Sequence, residues 1–331
     1  MNTFSLARAA DVAGAADELA RNPAARIIAG GTNLVDLMKE KVSRPDRLVD
    51  INRLPLKRVE ALPGGGLRIG ALVTNADVAY HPEIEARYPL LSRAILAGAS
   101  PQLRNMATTG GNLLQRTRCY YFYDTATPCN KREPGTGCPA MTGYNRIHAI
   151  LGASEHCIAT HPSDMCVAMA ALEAVIQVEG TGGPRSIPFA EFHRLPGDTP
   201  EVDTTLKPDE VITSVDLPAL GFAKNYAYVK VRDRSSYAFA LVSVAAALEL
   251  DGGRIAQARL ALGGVAHKPW RVPEAEGVLR GEVPTEDLFR RAAEVLLQGA
   301  VGRGHNDFKL KLAPRAIVRA LSQAAAMGAT S

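Results

Sequence analysis

The chain has 331 residues, 47% of them hydrophobic and 22% charged, enough for one or two ordinary cores without cross-links, so a soluble globular protein is expected. Its 38 basic and 34 acidic residues give a formal charge of +4 and form no concentrated Lys/Arg block, so nucleic acid is not an implied partner. No apolar run approaches the roughly 20 residues of a membrane span, and residues 1–20 alternate Arg, Asp and Glu with Ala, so neither a span nor an export signal is expected.

In chain order, the Ala-rich amphipathic stretch 6–20 predicts a helix, 26–29 a strand, 34–41 a helix and 48–51 a second strand. This is a βαβ unit with a glycine turn at its centre. Gly64, Gly65 and Gly66 turn a hairpin whose returning strand alternates Leu67, Ile69 and Ala71, and helical periodicity follows from Asn75 and over 89–99. From 116 to 152 the periodicity disappears among Pro128, Pro134, Gly135, Gly137, Pro139 and Gly143, and a loop that long usually has a function. Ser163 and Asp164 can cap a helix over 165–174, Thr181, Gly182 and Gly183 turn another hairpin, and 196–208 is connecting loop. Beyond Pro218 the pattern becomes long antiparallel strands, 226–232, 238–250 and 255–263, with a turn at 251–253 and helices over 285–298 and 313–325 to cover them. The result is an α+β protein of two domains, 1–220 and 221–331.

Two glycine turns carry the first chemical signal. The run Arg26, Ile27, Ile28, Ala29, Gly30, Gly31, Thr32, Asn33 and Leu34 ends a strand and begins a helix, where flexible glycines let backbone N–H groups approach phosphate oxygens. Alone, such a turn is as readily a plain strand-to-helix connection. A second turn, Thr108, Thr109, Gly110, Gly111 and Asn112, offers hydroxyls and an amide in a similarly compact segment. Neither turn has the G-x-G-x-x-G spacing of a nicotinamide site or the Gly-Lys-Ser/Thr ending of a nucleotide loop, so a different dinucleotide fold is indicated.

These turns, with Ile69-Gly70-Ala71 and Thr74, Ser163-Asp164, Tyr228-Val229-Lys230 with Arg232, and the closing Phe308-Lys-Leu-Lys-Leu312, stand in an order that resembles one family over nearly the whole chain. It is the FAD-binding subunits of the xanthine dehydrogenase and aldehyde oxidase class, found also in carbon monoxide dehydrogenase. The resemblance implies the two-part FAD-binding fold shared with vanillyl-alcohol oxidase, followed by a smaller domain of antiparallel sheet and helices. It implies that residues 26–34 wrap the FAD pyrophosphate and that Thr108, Gly110, Gly111 and Asn112 form the opposite wall. Asp164 would hold a hydroxyl on the sugar or phosphate side, Ile212 would join the cofactor contacts, and Lys230 would reach the flavin from the second domain. As alternatives from the residues alone, Lys230 is an exposed strand lysine and Asp164 a helix cap. The resemblance further implies two partners, a large subunit with a molybdenum cofactor that oxidises an aldehyde or heterocycle and a small subunit with two [2Fe-2S] clusters. No catalytic residue for substrate is expected in this chain, and no hydrolytic triad or molybdenum motif is present.

All five cysteines lie between Cys119 and Cys166. Cys119, Cys129, Cys138 and Cys157, in and just after the irregular loop, can ligate a [4Fe-4S] cluster, whose core tolerates varied ligand spacing. Structural zinc commonly uses cysteine pairs two to four residues apart, which are missing here, and disulfides leave an odd thiol; both stay open as alternatives. Simpler family members lack this loop, about 116–158, while the FAD subunits of three-subunit bacterial aldehyde oxidoreductases and of 4-hydroxybenzoyl-CoA reductase carry a cluster-bearing insertion. Cys129-Asn-Lys-Arg132, Gly137-Cys138 and Asn145-Arg-Ile-His-Ala149 resemble the aldehyde oxidoreductase type. Cys166 is expected to pack in a core, and His148, His156 and His161 are given no ligand role. Competing readings are a free-standing flavin oxidase and a metal scaffold without flavin. A complex of this kind can be assembled in the cytoplasm and exported folded on a partner's twin-arginine signal.

Overall fold

The structure, a computed structural model, describes residues 1–327; residues 328–331, the end of the expected second domain, lie outside it. Eleven strands among the described residues form three sheets. Strands β1 (Ser5–Arg8), β2 (Arg26–Ile28) and β3 (Arg47–Asp50) make a parallel sheet in the order β1-β3-β2. The βαβ unit is therefore present with one strand more than its sequence suggested. Residues 6–20 do not form a single helix: Ser5–Arg8 pairs with β3, and the helix begins at Val12, where the Asp11 carboxylate accepts from the Gly14 N–H at 2.7 Å. Parallel pairing across about forty residues overrides the local helical pattern.

Strands β4 (Val59–Ala61), β5 (Leu67–Gly70), β6 (Val175–Gly180), β7 (Gly183–Pro188) and β8 (Val211–Leu217) form an antiparallel sheet in the order β4-β5-β8-β6-β7. Its central strand β8 was hidden between two loops in the sequence. Both of its neighbours come from distant segments. The helix Asp164–Ala171, which directly precedes β6, is buried on every side and packs on the helix Pro89–Ala97 and on the third sheet. A helix without a polar face must lie inside the protein.

The third sheet runs β11-β10-β9, from β9 (Asn225–Val231), β10 (Val242–Asp251) and β11 (Arg254–Gly263). The strand expected from 238 begins only at Val242, because residues 233–240 lie along a cleft mouth instead. The helices Glu286–Leu296 and Phe308–Met327 bury Leu288, Phe289, Ala316, Ile317 and Leu321 in one core with β9 to β11. The last helix starts five residues before the expected Ala313 and carries Pro314 inside it. Lys309, at its start, is wholly buried and donates to the carbonyls of His148 and Gly264, tertiary bonds that hold the extra turn. The helix Pro273–Leu279 and the short turns of helix Pro101–Arg104, Tyr120–Tyr123 and Phe189–Phe192 had no counterpart in the sequence pattern.

Candidate functional site

The two glycine turns and β9 converge on a cleft of about 700 Å³. Each glycine of the first turn has its own reason. A Cβ on Gly30 would stand 1.8 Å from the Met106 carbonyl oxygen, and Gly31 has φ +73°, the left-handed region glycine enters without strain. Thr32 and Asn33 then line the cleft. The Asn33 side-chain oxygen accepts from the Arg116 N–H at 3.0 Å, while its buried Nδ2 has no partner within the protein. An orphaned N–H donor in a cleft wall suits an anionic oxygen.

In the second turn Thr108 Oγ1 accepts from the Gly111 N–H at 3.2 Å, and the N–H groups of Thr109 and Gly110 are used by Val73 and Ala71 carbonyls, both at 2.9 Å. Gly111 and Asn112 face the cleft. The Asn112 amide is held in place: it donates one N–H to Asn75 at 2.6 Å and accepts from Gln115 at 2.6 Å and from the Ser163 hydroxyl at 2.5 Å. These bonds fix the wall's shape and use one of its two N–H donors.

Asp164 departs from its capping alternative. Ser163 caps the helix, accepting from the Cys166 N–H at 3.0 Å, and this frees the Asp164 carboxylate for the third sheet. One oxygen accepts from the Tyr228 hydroxyl at 2.6 Å and the other from Lys230 Nζ at 2.8 Å. Lys230 also donates to the Ala97 carbonyl at 3.1 Å, so its side chain, only 5% exposed, is no loose surface lysine. This buried pair ties the two parts of the chain together at the floor of the cleft. Beside Asp164, Tyr228 is pushed well above the usual phenol range, by burial first and by the neighbouring carboxylate second.

The four loop cysteines border a second, small cavity together with Tyr121, Phe122, Lys131 and His148. Burial raises the Cys119 thiol to about 12 and Cys157 to about 11, so as bare thiols they would be inert at neutral pH. Lys131 is buried beside them and is paired with Asp203, which also accepts from Arg116 at 2.7 Å. Burial alone would raise the Asp203 carboxyl, but Arg116 and Lys131 outweigh it and hold it far below the usual range. Residues 118–120 join the two sites: Arg118 and Tyr120 line the cleft while Cys119 borders the cysteine cavity. Cys166 stands apart in its helix, fully buried, with its sulfur within 4.8 Å of nitrogens of His161 and His193. His193 Nε2 lies 2.9 Å from the Leu113 carbonyl and His161 Nδ1 faces the Ser163 N–H, so both rings serve the core.

Residues 2–220 match the family described as the FAD binding domain in molybdopterin dehydrogenase, and residues 226–324 match the CO dehydrogenase flavoprotein C-terminal domain. The chain is 51% identical to the aldehyde oxidoreductase FAD-binding subunit PaoB of Escherichia coli K12, over 98% of this chain and 99% of the relative. This chain belongs to the FAD-binding medium subunits of the molybdenum hydroxylase family. It is also 30% identical to the glyceraldehyde dehydrogenase medium chain of Sulfolobus acidocaldarius, over 88% of this chain and 85% of that one. Among solved structures it is similar to carbon monoxide dehydrogenase from Hydrogenophaga pseudoflava, with TM-score 0.77, 27% identity and 98% of both chains covered. Quinoline 2-oxidoreductase from Pseudomonas putida 86 gives TM-score 0.75 at 27% identity, covering 99% of this chain and 98% of that chain. The chain is thus a flavoprotein subunit of an oxidoreductase, with the mixed helix-and-sheet architecture of that family.

Of the residues singled out in the sequence, the cleft gathers Thr32, Asn33, Gly111, Asn112, Asp164 and Lys230. Ala29, Gly30, Gly31, Leu34, Thr108 and Gly110 stand behind its walls, and Arg26, Ile27 and Ile28 belong to β2, with the Arg26 guanidinium donating to Pro23 and Ala25 carbonyls at 2.8 and 2.6 Å. Ile212 belongs to β8 and is buried in the core, away from the cleft lining. The sequence reading missed Asp36, Asn75, Arg104, Gln115 and Arg118, which also line the cleft. Arg118 carried a usable signal, since it directly precedes a candidate ligand; the others had none.

Proposed function

We propose that this chain is the FAD-binding electron-transfer subunit of a molybdenum-dependent aldehyde oxidoreductase, working with a molybdenum-cofactor large subunit and a small subunit carrying two [2Fe-2S] clusters. The observation that carries the reading is the cleft itself. A full-length relative is named as an aldehyde oxidoreductase FAD-binding subunit, and here both glycine turns and the Asp164–Lys230 pair meet around a volume of the size small cofactors occupy.

Bound FAD supplies the exchange between single-electron carriers and an external acceptor. The residues of this chain hold and tune it. Asn33 offers its free amide N–H and the first turn its backbone to the pyrophosphate. Lys230 sets a cation in the cleft, and a cation near the ring favours the reduced, anionic flavin; Asp164 at 2.8 Å offsets much of that charge, so the pair acts as an oriented dipole.

The same reading places a [4Fe-4S] cluster on Cys119, Cys129, Cys138 and Cys157. Four thiols from a loop of little regular structure border one cavity, and buried thiolates are stable there only when a metal centre balances their charge. A closed zinc site, with Zn–S near 2.3 Å, would draw its sulfurs to about 3.8 Å from one another. Structural zinc also commonly uses cysteine pairs two to four residues apart, a spacing these four cysteines do not have. No helix among the described residues is long and apolar enough to cross a membrane.

The test is anaerobic mixing of the purified complex with an aldehyde, followed by flavin absorbance. Bleaching that requires the molybdenum subunit, and recovers when an acceptor is added, is expected. A flavin that stays oxidised while the complex turns over would refute the electron-transfer role.

A further inference from the structure

Resting on the cluster reading above, we propose that His148 is a positioning residue for the cluster: its imidazole N–H donates to the Cys119 thiolate and raises the reduction potential of that centre. His148 Nε2 lies 3.1 Å from Cys119 Sγ, and the ring is 1% exposed. Its other nitrogen, Nδ1, is buried and has no hydrogen-bond partner. A neutral imidazole carries one proton. On Nε2 that proton meets sulfur, whereas Nδ1 makes no hydrogen bond and has only a weaker interaction with the Asn145 backbone, so a thiolate at Cys119 selects the Nε2–H form. The rings of Tyr120 and Tyr121 flank the imidazole, with centroids at 6.5 and 6.3 Å, and limit its rotation.

The histidine's own peptide is clamped from the second domain. Lys309 Nζ donates to the His148 carbonyl at 2.9 Å and to the Gly264 carbonyl at 2.7 Å. Asn306 Nδ2 reaches the Ala149 carbonyl at 3.0 Å, and Asn145 Nδ2 donates to the Arg303 carbonyl at 2.7 Å. This gives the closing Phe308-Lys-Leu-Lys-Leu312 segment a role: its first lysine, wholly buried, fixes the loop that presents His148 to Cys119. A hydrogen bond to a cluster sulfur favours the more negatively charged, reduced state, because the donor's positive end faces the added electron.

The experiment is an anaerobic redox titration of the purified complex, read by the electron paramagnetic resonance of the cluster, for wild type, His148→Phe and His148→Gln. His148→Phe is expected to retain iron and sulfide while its one-electron equilibrium shifts about tenfold toward the oxidised state, ~59 mV lower. His148→Gln, which keeps an N–H donor, should recover most of the shift. A loaded Phe variant with an unchanged potential overturns the proposal. Should that variant fail to load, wild type labelled with ¹⁵N-histidine decides: a weak histidine-nitrogen coupling to the reduced centre supports the bond, and no coupling overturns it. Wild type without iron overturns the cluster reading itself, and the proposal with it, a result distinct from either of the others.

Discussion

Replacing Lys230 by Met removes the ammonium and leaves the Asp164 carboxylate, 8% exposed, with the Tyr228 hydroxyl as its remaining strong donor. At 2.8 Å and an effective dielectric of about 20, the gross attraction of the pair is about 6 kcal/mol. Desolvation of two buried charges cancels most of this in the intact protein, but a single replacement leaves one charge unpaired, which costs about 3–5 kcal/mol. The retained Tyr228 bond and access from the cleft place the expected loss near the lower end. Denaturant unfolding of Lys230→Met, Asp164→Asn and the double variant forms a cycle. The double variant should be less destabilised than the sum of the singles by at least about 1 kcal/mol, and both singles should lose flavin more readily on dilution. Additivity within about 0.5 kcal/mol would refute the idea that this pair fastens the two domains around the cleft.

Gly30→Ala places a methyl group into the Met106 carbonyl and should displace the first turn, reducing FAD retained after gel filtration to a small fraction of wild type; Gly31→Ala should cost about 1–2 kcal/mol for its left-handed backbone and keep more flavin. Asp203→Asn leaves Lys131 buried with its charge poorly matched, and should cost about 3–5 kcal/mol and make the cysteine loop the first site of limited proteolysis. His161, His193 and His267 are neutral in the fold, His193 lowered by burial to about 4 and His267 to about 3, with His161 well below its usual value for the same reason. The unfolded chain binds their protons below about pH 6.5 and the folded chain does not, so stability should rise with pH between about 4 and 6.5, by up to ~1.4 kcal/mol per pH unit for each histidine. A flat stability profile across that window would contradict the assignment. Cys129→Ser should abolish cluster absorption; normal turnover in the assembled complex would then show the centre to be a staple and not a relay.

Much of the fold was legible where local chemistry and tertiary structure agree. Gly64 to Gly66, Thr181 to Gly183 and Asp251 to Gly253 turn hairpins as their composition demands, with Gly65, Gly183 and Gly253 all at positive φ. Strand β1 and the late start of β10 were not legible, since the first depends on a parallel partner about forty residues away and the second on a cleft that no local pattern announces. At the site, residue types were readable but their contacts were not. Asp164 and Lys230 were each picked out, yet their mutual ion pair spans 66 residues, and the bond from Lys309 to the His148 carbonyl spans 161.

Under the proposed function this chain holds one FAD in the cleft and one cubane on its loop cysteines. Anaerobic purification followed by acid extraction, with flavin, iron and sulfide counted per chain, tests it most directly. One FAD with about four irons and four sulfides is the predicted result. FAD without iron would remove the cluster and keep the subunit assignment; metal without flavin would contradict the account at its centre.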